Sequence, residues 1–187
     1  MLRLFKRLLT AFALISLAGA AHTQQTDTPV QGPVLLTISG KVDQPNRGGL
    51  DPDVDKFFEY SEAEFDAATQ FDYSALQKLN FVKAQADFPL GGEVQEYEGP
   101  LLADVLSAAG ADGETLTLTA LDGYAIEVKV KEMIANGAVL ALKRNGEHFA
   151  VGGFGPTQIV FPRAERAELK DMPDDNWIWS IYHIKVD

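Results

Sequence analysis

The chain predicts one mixed α+β domain, rich in strands and with only short helices, and three patterns carry that prediction. Val34 to Val42 is a β-branched run with partial alternation that ends at the turn cluster Gln44-Pro45-Asn46-Arg47-Gly48-Gly49. Two further pairs of strand-like runs flank dipeptides that tolerate positive φ. Leu116, Leu118 and Leu121 face Tyr124, Ile126, Val128 and Val130 around Asp122-Gly123, and Ala138 to Lys143 face Glu147 to Val151 around Asn145-Gly146. The third pattern is a short helix, Pro100 to Ala109, with Leu101, Leu102, Val105 and Leu106 on one face and Gly110 as its stop. Many strands beside few short helices, with no internal repeat and no heptad, give the α+β class.

Residues 1 to 20 read as a cleavable secretory signal. Arg3, Lys6 and Arg7 form a basic start, Leu8 to Leu17 is an apolar run too short to span a bilayer, and Ala18-Gly19-Ala20 has the small-x-small form of a cleavage site. Residues 21 to 32 are polar and rich in Gln and Thr, and read as a disordered leader. The fold is expected over 33 to 187, a length that suits one domain with a single core. These features place the mature protein in the periplasm, soluble and monomeric, without direct membrane insertion. Losing Arg3, Lys6 and Arg7 takes the formal charge from -11 to -14, which disfavours nucleic acid and anionic membrane surfaces as partners.

The remaining elements follow local signals. Acidic residues 51 to 66 read as a short helix because Ser61 and Glu64 have capping-box spacing. Ser74 reads as the N-cap of a second helical segment, Ala75 to Leu79. Val82 to Gly92 reads as a loop. Trp177 and Trp179 read as alternating positions of a terminal strand, and therefore as facing opposite sides of it.

Signals for catalysis are poor. The three histidines, His22, His148 and His183, are scattered without metal-ligand spacing, and no nucleophile elbow or phosphate loop is present. The pairs Asp51 with Asp53 and Asp174 with Asp175 read as solvated surface. Arg163 reads either as a ligand contact or, preferably, as the ion-pair partner of the acidic stretch 171 to 175.

Five segments, taken in order, resemble the molybdopterin-binding domain of the sulfite oxidase family. Tyr97-Glu98-Gly99-Pro100-Leu101-Leu102 with Ala108-Ala109-Gly110-Ala111 resembles its aromatic-x-Gly-x-x-Leu element and following helix. Ala120-Leu121-Asp122-Gly123-Tyr124 resembles its Ala-Leu-Asn-Asp-Tyr segment, and Gly155-Pro156 with Ile159-Val160-Phe161-Pro162 follows. Trp179-Ser180-Ile181 with Ile184 and Val186 resembles its closing Trp-x-Leu-x-x-Ile-x-Val strand. The resemblance covers nearly all of 33 to 187.

The departures from the family are as informative. The chain has no cysteine, so the loop where the family places its metal-binding thiolate reads Ala84-Gln85-Ala86-Asp87-Phe88. Molybdenum is not expected, because a soft thiolate is what such a centre takes from the protein. Where the family enzymes carry a lysine that contacts the cofactor phosphate, this chain has Ile178. Gly153 and Phe154 replace the basic residues that small relatives carry before Gly155-Pro156.

What the resemblance then implies is a metal-free pterin as ligand. Pterin rings bind by stacking and by a few placed polar groups, so Trp179, Trp177, Phe88, Phe154 and Tyr124 are candidate walls beside Gly155. Asn46 and Arg47 match where the family contacts the pterin edge. Trp179 is the favoured stacking residue, although an aromatic on a terminal strand reads equally well as core. The implied function is a non-enzymatic periplasmic receptor that passes pterin occupancy to a membrane-bound signalling protein, such as a cyclic-di-GMP synthase/phosphodiesterase or a histidine kinase. Two alternatives stay open, a molybdopterin-dependent oxidoreductase subunit and a ligand-free interaction module.

Overall fold

The computed structural model describes residues 30–187; the signal reading of residues 1–20 and most of the leader lie outside the described residues. In chain order the first elements are β1 (Val34–Gly40), β2 (Arg47–Gly48), α1 (Lys56–Tyr60), β3 (Ala67–Asp72), α2 (Tyr73–Gln77), β4 (Phe81–Ala86) and β5 (Gln95–Pro100). Then come α3 (Leu102–Ala108), β6 (Thr115–Ala120), β7 (Ala125–Lys129), α4 (Val130–Ala135), β8 (Val139–Ala141), β9 (Lys143–Arg144) and β10 (Glu147–His148). The chain closes with β11 (Gln158–Val160), the 3₁₀ turns Ala167–Leu169 and Asp174–Asn176, and β12 (Ile181–Val186). The result is the predicted strand-rich α+β domain.

The first and last strands lie side by side at the centre of a six-stranded sheet of order β2-β3-β1-β12-β6-β7, in which only β1 and β12 run parallel. Alternation divides this pair between two environments. Leu36, Ile38, Ile184 and Val186 are fully buried in the main core, which Leu116 and Leu118 of β6 and Leu102, Val105 and Leu106 of α3 also enter. On the opposite face, Thr37 pairs with His183 and Ser39 with Lys185. There the α1 segment lays Phe58 against His183, with ring centroids 5.5 Å apart. A second sheet of order β10-β9-β5-β4 and the pair β11-β8 complete the domain. Among the described residues, no helix is long and apolar enough to cross a membrane.

The helix expected from Pro100 to Ala109 forms as α3, and Gly110 closes it at φ +62°. The Asp122-Gly123 hairpin forms as β6-β7, but Val130 leaves it to begin α4, which the sequence reading did not anticipate. The Asn145-Gly146 hairpin is shorter than expected. Only Lys143–Arg144 and Glu147–His148 pair across it, because Val139–Ala141 is taken by β11 instead.

Three local expectations are corrected. Ser61 follows α1 as its C-cap, where its hydroxyl donates to the Phe57 carbonyl, so it starts no helix. Asp72, not Ser74, caps α2: its Oδ1 accepts from the Ala75 amide at 2.7 Å, while Oδ2 accepts from the amides of Gln31 and Gly32. Those bonds, the Ala75 bond foremost, outweigh burial and hold its carboxyl below the usual range. They also tie Gln31 and Gly32 to the fold, ahead of the expected start at 33. Finally, Val82 to Ala86 belong to strand β4, paired with β5 through six residue pairs, and only the segment from Asp87 onward is loop.

Candidate functional site

Three segments far apart in sequence build a cavity of about 380 Å³, lined by Phe88, Ala120, Asp122, Tyr124, Asp174, Asp175, Trp177, Ile178 and Trp179. The β4–β5 loop supplies Phe88. The β6–β7 hairpin supplies Ala120, Asp122 and Tyr124, and the chain entering β12 supplies the rest.

The two tryptophans do not alternate along a strand as expected. Trp177 ends the 3₁₀ turn Asp174–Asn176, and β12 begins only at Ile181. Trp179 makes a single bridge to Gln158, and Ser180 follows it at φ +57°. Their environments differ sharply all the same. Trp177 is 2% exposed and Trp179 is 43% exposed. Trp177 stacks almost parallel on Phe88, with centroids 5.5 Å apart at 8°, meets the edge of Phe161, and lies 4.3 Å from the Arg163 guanidinium. It is a fixed wall. Trp179 touches Phe154 edge-on at 6.0 Å and leaves much of its surface to solvent at the cavity mouth, where Tyr124 is also exposed.

Phe154 stands behind this wall, in edge contact with Phe88 and with Arg144 4.9 Å from its ring centroid. The Ser180 amide donates to the Phe154 carbonyl, and the Ser180 hydroxyl donates to the Gly153 carbonyl, so the 152–155 turn is fastened to the entry of β12. Gly155 is needed there for space. A Cβ on it would lie 2.8 Å from the Ala150 carbonyl oxygen and 2.9 Å from the Phe149 Cβ.

Arg163 organises the back of the site. Its side chain is 1% exposed; Nε donates to Asp87 at 2.6 Å, and Nη1 to Asp174 and to the Met172 carbonyl, both at 2.7 Å. Burial pushes the Asp87 carboxyl up, but the bonds from Arg163 and the Gly91 amide outweigh it and hold the group below its usual range. The second oxygen of Asp174 accepts from the Leu90 amide at 2.9 Å. One guanidinium thus ties the β4–β5 loop to the 3₁₀ turn that carries Trp177.

Asn46 and Arg47 are not part of this cavity. Asn46 spends its amide on the Gln70 backbone, donating to the carbonyl at 2.9 Å and accepting from the amide at 2.7 Å. Arg47 forks onto Asp55 and onto the carbonyls of Gly48 and Gly49, with its guanidinium against Phe58 and Phe65. Both lie at β2, the edge of the large sheet opposite β7. The structure brings six of the eight candidates into one neighbourhood: Phe88, Tyr124, Trp177 and Trp179 line the cavity, Phe154 touches Phe88 and Trp179, and Gly155 follows it in the same turn.

Residues that the sequence reading missed are the acidic ones. Asp122, Asp174 and Asp175 line the cavity beside the aromatics, although the last two read as solvated surface. Their signal was position: Asp122 lies inside the Ala-Leu-Asp-Gly-Tyr segment, and Asp174 and Asp175 precede Trp177 by three and two residues. Ile178, 4% exposed, adds an apolar surface where the resemblance expects a lysine.

No protein-family model matches this chain, and no curated protein matches it in sequence. Among solved structures it is similar to the sulfane dehydrogenase SoxCD from Paracoccus pantotrophus, with a TM-score of 0.53 and 16% identity. The match covers 81% of this chain and 37% of that chain. The fold is sulfite oxidase-like. At this identity the likeness extends to the fold alone, and the sulfite oxidase-like domain spans only 37% of the length of its structural neighbour. The cavity's donor set is this chain's own: four aromatic rings, three carboxylates and no thiolate.

Proposed function

We propose that this sulfite oxidase-like domain is a receptor for a metal-free pterin, held in the Phe88–Tyr124–Trp177–Trp179 cavity. The observation that carries the reading is the pairing of a buried, stacked wall with an exposed indole at the mouth of a cavity sized for a bicyclic ring. A planar heterocycle stacks on such surfaces and takes its orientation from a few polar groups.

Molybdopterin does not suit these residues. A soft metal centre takes a thiolate from the protein, and the chain has no cysteine. A phosphate in this cavity would share it with Asp122, Asp174 and Asp175, while Arg163, which pairs with Asp174, is buried and already engaged. Like charges in one cavity oppose binding. A ligand without phosphate avoids the conflict.

Relay of occupancy to a membrane-bound signalling protein rests on the family resemblance. Physically it requires that the partner prefer the ligand-bound arrangement of the loops around Phe88 and Phe154. Mass spectrometry of small molecules released from protein purified out of its native host tests the ligand reading. A free pterin supports it. A molybdenum cofactor would favour an oxidoreductase subunit, and no small molecule together with no binding of added pterin would favour an interaction module.

A further inference from the structure

The three carboxylates on the cavity are not equivalent, and their difference names the part of the ligand that the site reads. Asp174 has both oxygens engaged, one by Arg163 and one by the Leu90 amide. Asp122 has one oxygen engaged, accepting from the Tyr124 amide at 3.0 Å inside its own turn. Asp175 accepts a hydrogen bond from none of the described residues and forms no salt bridge with them. It sits at the centre of the 3₁₀ turn Asp174–Asn176, two residues before Trp177, so the Arg163 anchor on Asp174 fixes its backbone while its carboxylate stays free.

An ionised carboxylate is acceptor-only and presents two oxygens side by side. Its best partner is a planar group with two parallel N–H donors. In the pterin that the proposed function assigns to this cavity, the 2-amino-4-oxo pyrimidine edge offers that pair, from N3–H and the 2-amino group. The same wall carries a complementary donor: the Trp177 indole Nε1 is buried and has no acceptor among the described residues. A ring with adjacent donors and a carbonyl answers both requirements.

We propose that Asp175 is the specificity-determining residue of the site, accepting from N3–H and the 2-amino group, and that it selects 2-amino pteridines over their 2-oxo counterparts. Lumazine supplies the discriminating probe, because it keeps the bicyclic ring and replaces the 2-amino donor with a carbonyl acceptor. Facing Asp175, that carbonyl removes one charge-assisted bond and sets two acceptors against each other. The proposal rests on the pterin reading.

The test is calorimetric titration of pterin and lumazine into the purified full-length protein and into its Asp175→Asn and Asp122→Asn variants. Asp175 is exposed, so the Asn variant removes one acceptor without disturbing the core. Pterin is expected to bind roughly tenfold to hundredfold more tightly than lumazine, and Asp175→Asn to lose most of that preference by weakening pterin alone. Asp122→Asn is expected to keep it. Equal affinities for the two rings, or a preference that survives Asp175→Asn, would overturn the assignment and leave the pterin reading standing. Failure of both rings to bind the unmodified protein would overturn the pterin reading itself, and this assignment with it.

Discussion

Trp177 and Trp179 lie two residues apart and carry different loads. Trp179 is half-exposed at the cavity mouth, so Trp179→Ala should leave stability nearly unchanged and weaken pterin binding by about 1–3 kcal/mol, the usual effect of removing an aromatic platform. Trp177 is packed between Phe88, Phe161 and Arg163, so Trp177→Ala should cost about 3–5 kcal/mol of stability as a core truncation. Urea unfolding followed by calorimetric titration separates the two, and equal stability losses would refute the division of roles. The aromatic candidates were legible in the sequence because Tyr124, Phe154, Trp177 and Trp179 fall within or beside segments that resemble the family, and Phe88 lies in the loop where the family places its thiolate. Asn46 and Arg47 were not, since their side chains are consumed by the Gln70 backbone and by Asp55, pairings that no local pattern announces. Asp175 was missed for the opposite reason: isolated from its tertiary setting, an exposed acidic pair has a solvated surface as its ordinary meaning.

The same contrast holds among elements. Long signals survived: β1, α3 with its Gly110 stop, and the β6–β7 hairpin all follow from runs of five or more patterned residues. Short ones were overridden by tertiary partners. The expected capping box at Ser61 failed because that hydroxyl bonds backward to Phe57 and meets the Tyr182 hydroxyl. Ser74 lost its cap to Asp72, two residues earlier, whose carboxylate gathers three amides from two segments at once. Asp72→Ala should therefore remove about 2 kcal/mol of stability by deleting a cap and stranding amides of both segments, whereas Ser74→Ala should be nearly neutral. Thermal unfolding of the two variants checks the assignment, and a larger loss from Ser74→Ala would reverse it.

For the molecule as a whole, the parallel β1–β12 pair joins two chemically different faces, and the less apolar one predicts how the fold responds to acid. His183 lies there, 4% exposed, with Nε2 2.8 Å from the Ser39 hydroxyl and with Phe58 and Phe65 against its ring. Burial, with the positive charge of Lys185 adding to it, pushes its pKa down to about 4. The other cation near this aromatic group, Arg47 over Phe58 and Phe65, is neutralised by Asp55 at 2.6 Å. Above the ordinary histidine value of about 6.5 the ring is neutral in the folded and unfolded chain alike, so it contributes no pH dependence. As pH falls from about 6.5 towards 4, the unfolded chain binds a proton that the folded chain refuses, and stability declines by up to about 3 kcal/mol. The carboxyls of Asp55, Asp72 and Asp87 are all held below 3.8, so the stability they add is lost only at still lower pH. His183→Gln keeps a polar group near Ser39 without the titration. Urea unfolding at intervals from pH 7 to pH 4.5 should show a falling free energy for the natural chain and a flatter line for the variant, and equal slopes would show that acid acts on this fold elsewhere.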